Sequence, residues 1–369
     1  MKVYNEHSLV NLSNSILNHF GVAPFHDTLP EVDERIKEYK KVVIILFDGM
    51  GKNIVRYHLK ENSYIRSHYV TTINSTFPPT TAAATTSLLT GKYPIETGWI
   101  AWNTYFKELD RNIILFRGID INTDEVIDPG IAYKKFPNKS IFDLINEKGN
   151  AKAINISRYP IQQDGPKTLR NGLKQLKKAL KSNESCFIYY YWDSPDREMH
   201  ETGIYSFRTH LEVLKAQWFI KHAKKQNPDT VFISISDHGH INITTDDICE
   251  HEDLYSCLSN KLTMEKRCPS FFVKEDKRKE FEELFNKYYG EHFELFTKQE
   301  VLDMKLFGLG EPKEGVIDSF GDYLAIAKDG LSIKSSKEFA TRKKHRSKPF
   351  KGHHAGGTKE EREIDLSIY

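Results

Sequence analysis

Three short runs of almost unbroken apolar residues constrain this chain more than anything else in it. They lie at 42–47 (VVIILF), 186–192 (CFIYYYW) and 231–235 (VFISI). A strand with one face in water alternates apolar and polar residues. These runs do not alternate, so both faces must be covered, as in a parallel sheet between two layers of helices. Helical patterns separate the runs: 140–148, a basic amphipathic stretch at 166–181, and a segment from Phe207 in which Leu211, Leu214 and Trp218 keep helical spacing. A further strand is expected at 151–156. The alternation predicts an α/β fold, a doubly wound, mostly parallel sheet with helices on both faces. Each apolar run also delivers an acid where it ends: Asp48, Asp193 and Asp237. Ligands of such sheets gather beyond the carboxyl ends of the strands.

The flanking segments fill in the organisation. Leu9, Leu12, Ile16 and Phe20 fall on one helical stripe that Gly21 can close. Residues 250–315 change character, with a short strand at 270–273, a charged helix at 277–289 and another helix at 298–304. They predict a small α+β insertion or cap, leaving 1–249 and 316–369 as the core. Residues 323–327 (YLAIA) read as a return to the main sheet. A basic loop follows at 342–351, more in keeping with a solvated surface than a phosphate-gathering device.

Function classes narrow by exclusion. A formal net charge of +2 gives no reason to expect a nucleic-acid scaffold. No apolar run reaches the ~18 residues that span a bilayer, so no membrane role is expected. The first twenty residues are too polar for a signal peptide. The four cysteines show no paired spacing, so a reducing cytoplasm is the expected compartment.

Chemistry concentrates in 75–94, STFPPTTAAATTSLLTGKYP. Pro78 and Pro79 hold the chain out of helix before Thr80. Thr80 reads as an N-cap whose hydroxyl accepts an orphan N–H, and Gly91 as the stop. Thr81 then sits in the first helical turn, at the positive end of the macrodipole, where a hydroxyl can lose its proton and attack an anionic substrate. The plainer reading makes both threonines caps. Around it the candidates are Asp48, Asp196, His200, Asp237, His238 and His354. Asp196 and His200 are four apart, one helical turn, and share a face. Mixed His and Asp donors suit zinc or manganese better than calcium or magnesium. His240 beside His238 reads as a loop histidine, and chemistry alone does not choose between His353 and His354.

These motifs resemble the alkaline phosphatase superfamily, and within it the nucleotide pyrophosphatase/phosphodiesterase branch. The likeness covers about 40–240 and 320–369. It rests on FDGMG at 47–51, the Thr-headed helix ending SLLTGKYP at 87–94, PDREMH at 195–200, SDHG at 236–239 and HHAGG at 353–357. In the superfamily the nucleophile stands nine residues before the threonine of the terminal Thr-Gly, which implies Thr81 over its rival Thr76. The resemblance implies one ion held by Asp196, His200 and His354. It implies a second held by Asp48, Asp237, His238 and the Thr81 hydroxyl. His354 is favoured because HAGGT fits the family's His-Gly-Gly segment, with Ala355 a departure. It also implies that Asn103 holds a nonbridging phosphate oxygen.

The implied cofactors are two divalent ions, zinc or else manganese. The implied chemistry is hydrolysis of a small-molecule phosphodiester or nucleotide pyrophosphate through a phosphothreonine. A monoesterase of the same superfamily and a catalytically silent metal-stabilised binding protein are the alternatives. Thr81 stands where a sulfatase needs Cys or Ser, and the insertion is too short for a phosphoglycerate-mutase-like enzyme. Phe77, Trp102 and Tyr105 are aromatic candidates for a base, with core packing the plainer role for each. The sequence fixes neither the oligomeric state nor the natural substrate.

Overall fold

The computed structural model describes residues 6–158, 161–162, 164–182, 184–337 and 349–369. All three apolar runs become neighbouring strands at the centre of one six-stranded sheet. Its order is Tyr69–Asn74, Glu363–Ile368, Val231–Ile235, Lys41–Phe47, Cys186–Trp192, Lys152–Ser157. The last four run parallel, and Glu363–Ile368 is antiparallel to both its neighbours. Register brings the strands out level: Phe47 pairs with Trp192, and Leu46 with Ile235. Asp48, Asp193 and Asp237 therefore emerge along one edge.

Alternation along the central strand explains the two helical layers. Val42, Ile44 and Leu46 point into a core shared with Leu9–His19, Thr81–Thr90 and Ile141–Lys148. Val43, Ile45 and Phe47 point the other way, into a core shared with Lys52–His58, Leu169–Ala179 and Phe207–Gln226. The expected helix and strand positions in this part of the chain hold to within a few residues.

Residues 323–327 depart from expectation. Tyr323–Ala327 does not join the main sheet. It pairs antiparallel with Cys268–Phe271 and Phe293–Thr297 in a second, four-stranded sheet completed by Thr263–Glu265. A strand buried on both faces has the same composition whichever sheet receives it, so its partner cannot be read from it. The second sheet thus takes strands from both sides of residue 315. Its faces carry their own cores, one around Phe281, Phe285 and Tyr289, the other around Trp99, Phe106 and Phe136. Most of the basic loop, 342–348, lies outside the described residues. Within the described part, Lys351 donates its backbone N–H to His200 O.

Candidate metal centre

The loop after Lys41–Phe47 turns at Gly49, whose φ of +71° suits a residue without a side chain. A Cβ there would lie 2.8 Å from the Asp196 Cβ. That close approach lets Asp196 N donate to Asp48 O at 2.9 Å and Gly49 N to Asp237 Oδ1 at 3.1 Å. Three separate loops are thereby pinned to one point at the sheet edge.

Helix Thr81–Thr90 aims its first residue at the same point. Thr80 takes the N-cap position and Gly91 closes the helix in the left-handed conformation, as the sequence predicts. The Thr80 hydroxyl does not cap the helix, however. It donates to the buried carboxylate of Glu265 at 2.7 Å, which also accepts from Trp102 N. A buried carboxylate needs donors more than a helix amide facing the site needs an acceptor. Thr81 Oγ1 lies 3.4 Å from Asp48 Oδ2 and 3.2 Å from His238 Nε2. Thr76 is buried, and its hydroxyl has no hydrogen-bond partner among the described residues.

Two donor clusters result. Asp48, Asp237 and His238 form a fully buried one, and Asp196, His200, His240 and His354 the other, each with its ligand atoms within 4.8 Å of one another. His354 is the member, not His353, whose Nδ1 instead accepts from the His354 backbone N–H. Three of the histidines are oriented alike. Nδ1 of His200, His238 and His354 faces the carbonyls of Gly352, Gly239 and Pro79 at 2.9, 2.9 and 3.1 Å. Each Nε2 is left toward the carboxylates, as second-shell carbonyls orient metal-bound imidazoles.

The electrostatics call for cations. Burial, then Asp237 and Asp196, push the Asp48 carboxyl well above its usual range, although Tyr191 donates its hydroxyl to Asp48 Oδ2. Burial also raises Asp196, but His200, His240 and His354 outweigh it and hold this carboxyl well below the usual range. Burial lowers His354 well below 6.5 and His240 to about 4, so both are neutral lone-pair donors at pH 7. No lysine or arginine among the described residues pairs with Asp48, Asp196 or Asp237, and Asp237 Oδ2 has no hydrogen-bond partner. A buried, uncompensated carboxylate pair with nitrogen donors beside it fits divalent ions.

Asn103 is buried in the strand Asn103–Phe106 and donates its amide to Met264 O, with no hydrogen bond to Thr81. Asp193 turns away from the clusters to Arg158, 3.2 Å away, and to Arg197. Phe77 belongs to the core, and Tyr105 donates to Asp110 and lies against Phe272. Sequence reasoning missed two residues here. Tyr191 was hidden inside a strand that reads as pure core, and His240 was set aside as a loop residue. The only signal for His240 was a third donor within four residues of Asp237.

The family match and the structural likenesses place the fold in the alkaline phosphatase superfamily. A model of the type I phosphodiesterase/nucleotide pyrophosphatase family matches residues 42–355, and the chain belongs to that family. Murine ectonucleotide pyrophosphatase/phosphodiesterase 5 shares the fold at 17% identity and TM-score 0.63, over 89% of this chain and 87% of that one. The human protein of that name matches at 14% identity and TM-score 0.64, with the same coverage. An inactive threonine-to-alanine variant of the murine protein, in complex with AMP, matches at 16% identity and TM-score 0.63, again with that coverage. No curated protein sequence matches the chain.

Proposed function

We propose that the chain hydrolyses phosphodiester or nucleotide pyrophosphate bonds with Thr81 as nucleophile and two divalent ions, zinc or manganese, as cofactors. The observation that carries this reading is the position of Thr81 Oγ1 at a helix start, within 3.5 Å of Asp48 and His238, two members of one donor cluster. Asp196, His200 and His354 would hold one ion, and Asp48, Asp237, His238 and Thr81 the other. Bound there, the ions supply Lewis acidity that favours the Thr81 alkoxide and offsets charge on the leaving oxygen.

The chain's own part is nucleophile and cradle. Thr81 Oγ1 attacks phosphorus in line, the bond to the leaving oxygen breaks, and a phosphothreonine forms. Water then attacks that phosphorus and the bond to Thr81 Oγ1 breaks, releasing a phosphate monoester that keeps the substrate's second organic group and restoring the hydroxyl. The Thr81 backbone N–H and the free amide hydrogen of Asn103 would hold the equatorial oxygens where charge accumulates. A nucleotide is the substrate class favoured by the AMP held in the murine relative. The four cysteines are unpaired and buried, which supports a reducing compartment. No helix among the described residues is long and apolar enough to cross a membrane.

The test is turnover of the nitrophenyl ester of thymidine monophosphate, with and without a chelator, in the unmodified chain and in Thr81→Ala. Chelator-sensitive turnover that disappears in the variant is expected. A metal-loaded chain with no turnover of any phosphoester would leave the binding-protein reading in its place.

A further inference from the structure

We propose that His240 is a fourth protein ligand of the ion held by Asp196, His200 and His354. The proposal rests on the two-ion reading above and adds to it a tight, imidazole-rich site beside a weaker one. His240 sits two residues past His238, on the loop that leaves Val231–Ile235. That loop serves both clusters. Asp237 and His238 face Thr81, while the next histidine crosses to the other side. Asn53 Nδ2 donates to His240 O at 2.8 Å and fixes its backbone.

The ring of His240 is fully buried, and neither of its nitrogens has a hydrogen-bond partner among the described residues. This sets it apart from His200, His238 and His354, whose Nδ1 atoms all meet carbonyls. Nε2 lies 3.1 Å from Asp196 Oδ1, which is equally without a hydrogen-bond partner. The two atoms are close but out of line for an N–H···O bond. That is the arrangement of two donors turned toward a common third atom. The His240 ring stands edge-on to those of His200 and His354, with centroids 4.8 and 5.4 Å away. An unsatisfied buried polar group is costly, and a cation at that point removes the cost for Nε2.

The chain also makes room for this ring. A Cβ at Gly352 would lie 2.9 Å from His240 Nδ1. Gly352 thus leaves space for His240 while its carbonyl orients His200.

One carboxylate and three imidazoles complete a tetrahedral zinc set, and such closed sets are the high-affinity, structural kind. An oxygen of the substrate could enter there only as a fifth ligand. The site of Asp48, Asp237, His238 and Thr81 offers one imidazole against three and includes the reactive hydroxyl. The two ions should therefore differ in affinity, with the first held at Asp196, His200, His240 and His354.

Metal-free full-length protein titrated with cobalt(II) against a competing chelator tests this, with the visible spectrum and X-ray absorption recorded at one equivalent. The unmodified chain should bind its first cobalt tightly, with the imidazoles of His200, His240 and His354 all counted. His240→Met keeps the buried volume without the nitrogen. It should weaken that first site by about 10-fold to 100-fold or more, weaken the four-coordinate cobalt bands and lose one imidazole. Unchanged affinity and spectrum in His240→Met would overturn the proposal. So would a count of only two imidazoles on the first cobalt of the unmodified chain, a readout that needs no variant to fold. If the unmodified chain binds less than about one cobalt, the two-ion reading itself falls, and this inference with it.

Discussion

Arg267 and Glu361 meet through two parallel hydrogen bonds, Nε to Oε1 at 2.7 Å and Nη2 to Oε2 at 2.9 Å, with both side chains fully buried. The pair joins the second sheet to the end of the chain. Arg267 lies between the strands Thr263–Glu265 and Cys268–Phe271, and Glu361 also accepts from Gly356 N and Thr358 Oγ1. The loop held this way carries His354. Two residues earlier in the same hairpin, Glu265 holds the Thr80 hydroxyl beside Thr81. The second sheet is thus a support for the site.

Removing one partner of that pair leaves a charge buried and alone. Glu361→Ala should lower stability by about 3–5 kcal/mol, and Arg267→Met with Glu361→Leu should recover much of the loss. Urea unfolding of both variants measures it. Equal destabilisation in the two would show that packing, rather than the uncompensated charge, sets the cost.

Thr81 and Thr76 make opposite predictions. Thr81→Ala should keep the fold and most metal binding, and lose turnover by several powers of ten, because the attacking oxygen is gone. Thr76→Ala should change the rate modestly, since no donor of either cluster contacts its hydroxyl. Steady-state rates and metal content of both variants decide between them. A reversed pattern would move the nucleophile into the loop before the helix.

The metal-free chain should lose stability on acidification in a window set by its buried imidazoles. Burial depresses His240 from 6.5 to about 4 in the folded state, and His354 is depressed too. The unfolded chain therefore binds protons first, and its stability contribution is complete above about 6.5 and lost as pH falls toward 4. For His240 alone the difference corresponds to roughly 3 kcal/mol. Asp48 acts in the opposite direction. Its carboxyl is raised by burial and by its neighbouring acids, so its contribution is present at low pH and lost as pH rises through its folded value. Chemical unfolding from pH 4 to 8, with and without zinc, follows both effects. An equal loss between pH 6.5 and 4 in metal-free His240→Met and in the unmodified chain would contradict the neutral His240.

Much of this site was legible because its signals are local. An apolar strand followed by Asp48, a proline-guarded helix start at Thr81 and a four-residue spacing from Asp196 to His200 each constrain geometry within a few residues. What stayed hidden depends on distant partners. The Thr80 hydroxyl reads as a cap until Glu265, 185 positions away, takes it. Tyr323–Ala327 reads as a main-sheet strand until Phe293–Thr297 claims it. His240 has the composition of a loop residue, and only the burial of its ring beside Asp196 marks it as a donor.

Charge matching separates diesters from monoesters. A monoester dianion presents three charged oxygens, and sites for it tend to add an arginine or a further cation. A diester carries one negative charge and a second organic group, so a neutral donor is sufficient. The residues around Thr81 are of the second kind. No arginine lies in Thr81–Thr90, and the donor proposed for the phosphate oxygen is the neutral amide of Asn103. One hydrogen of that amide is committed to Met264 O, which fixes the side chain and leaves the other hydrogen to serve the substrate. The nitrophenyl ester of thymidine monophosphate should therefore show a higher kcat/KM than nitrophenyl phosphate. Asn103→Ala should lower diester turnover by about one to three powers of ten, as for loss of one transition-state donor, and leave the metal content unchanged. Equal or faster turnover of the monoester would make the chain a phosphatase on the same metal site, with its extra cation to be sought in the basic segment 342–351.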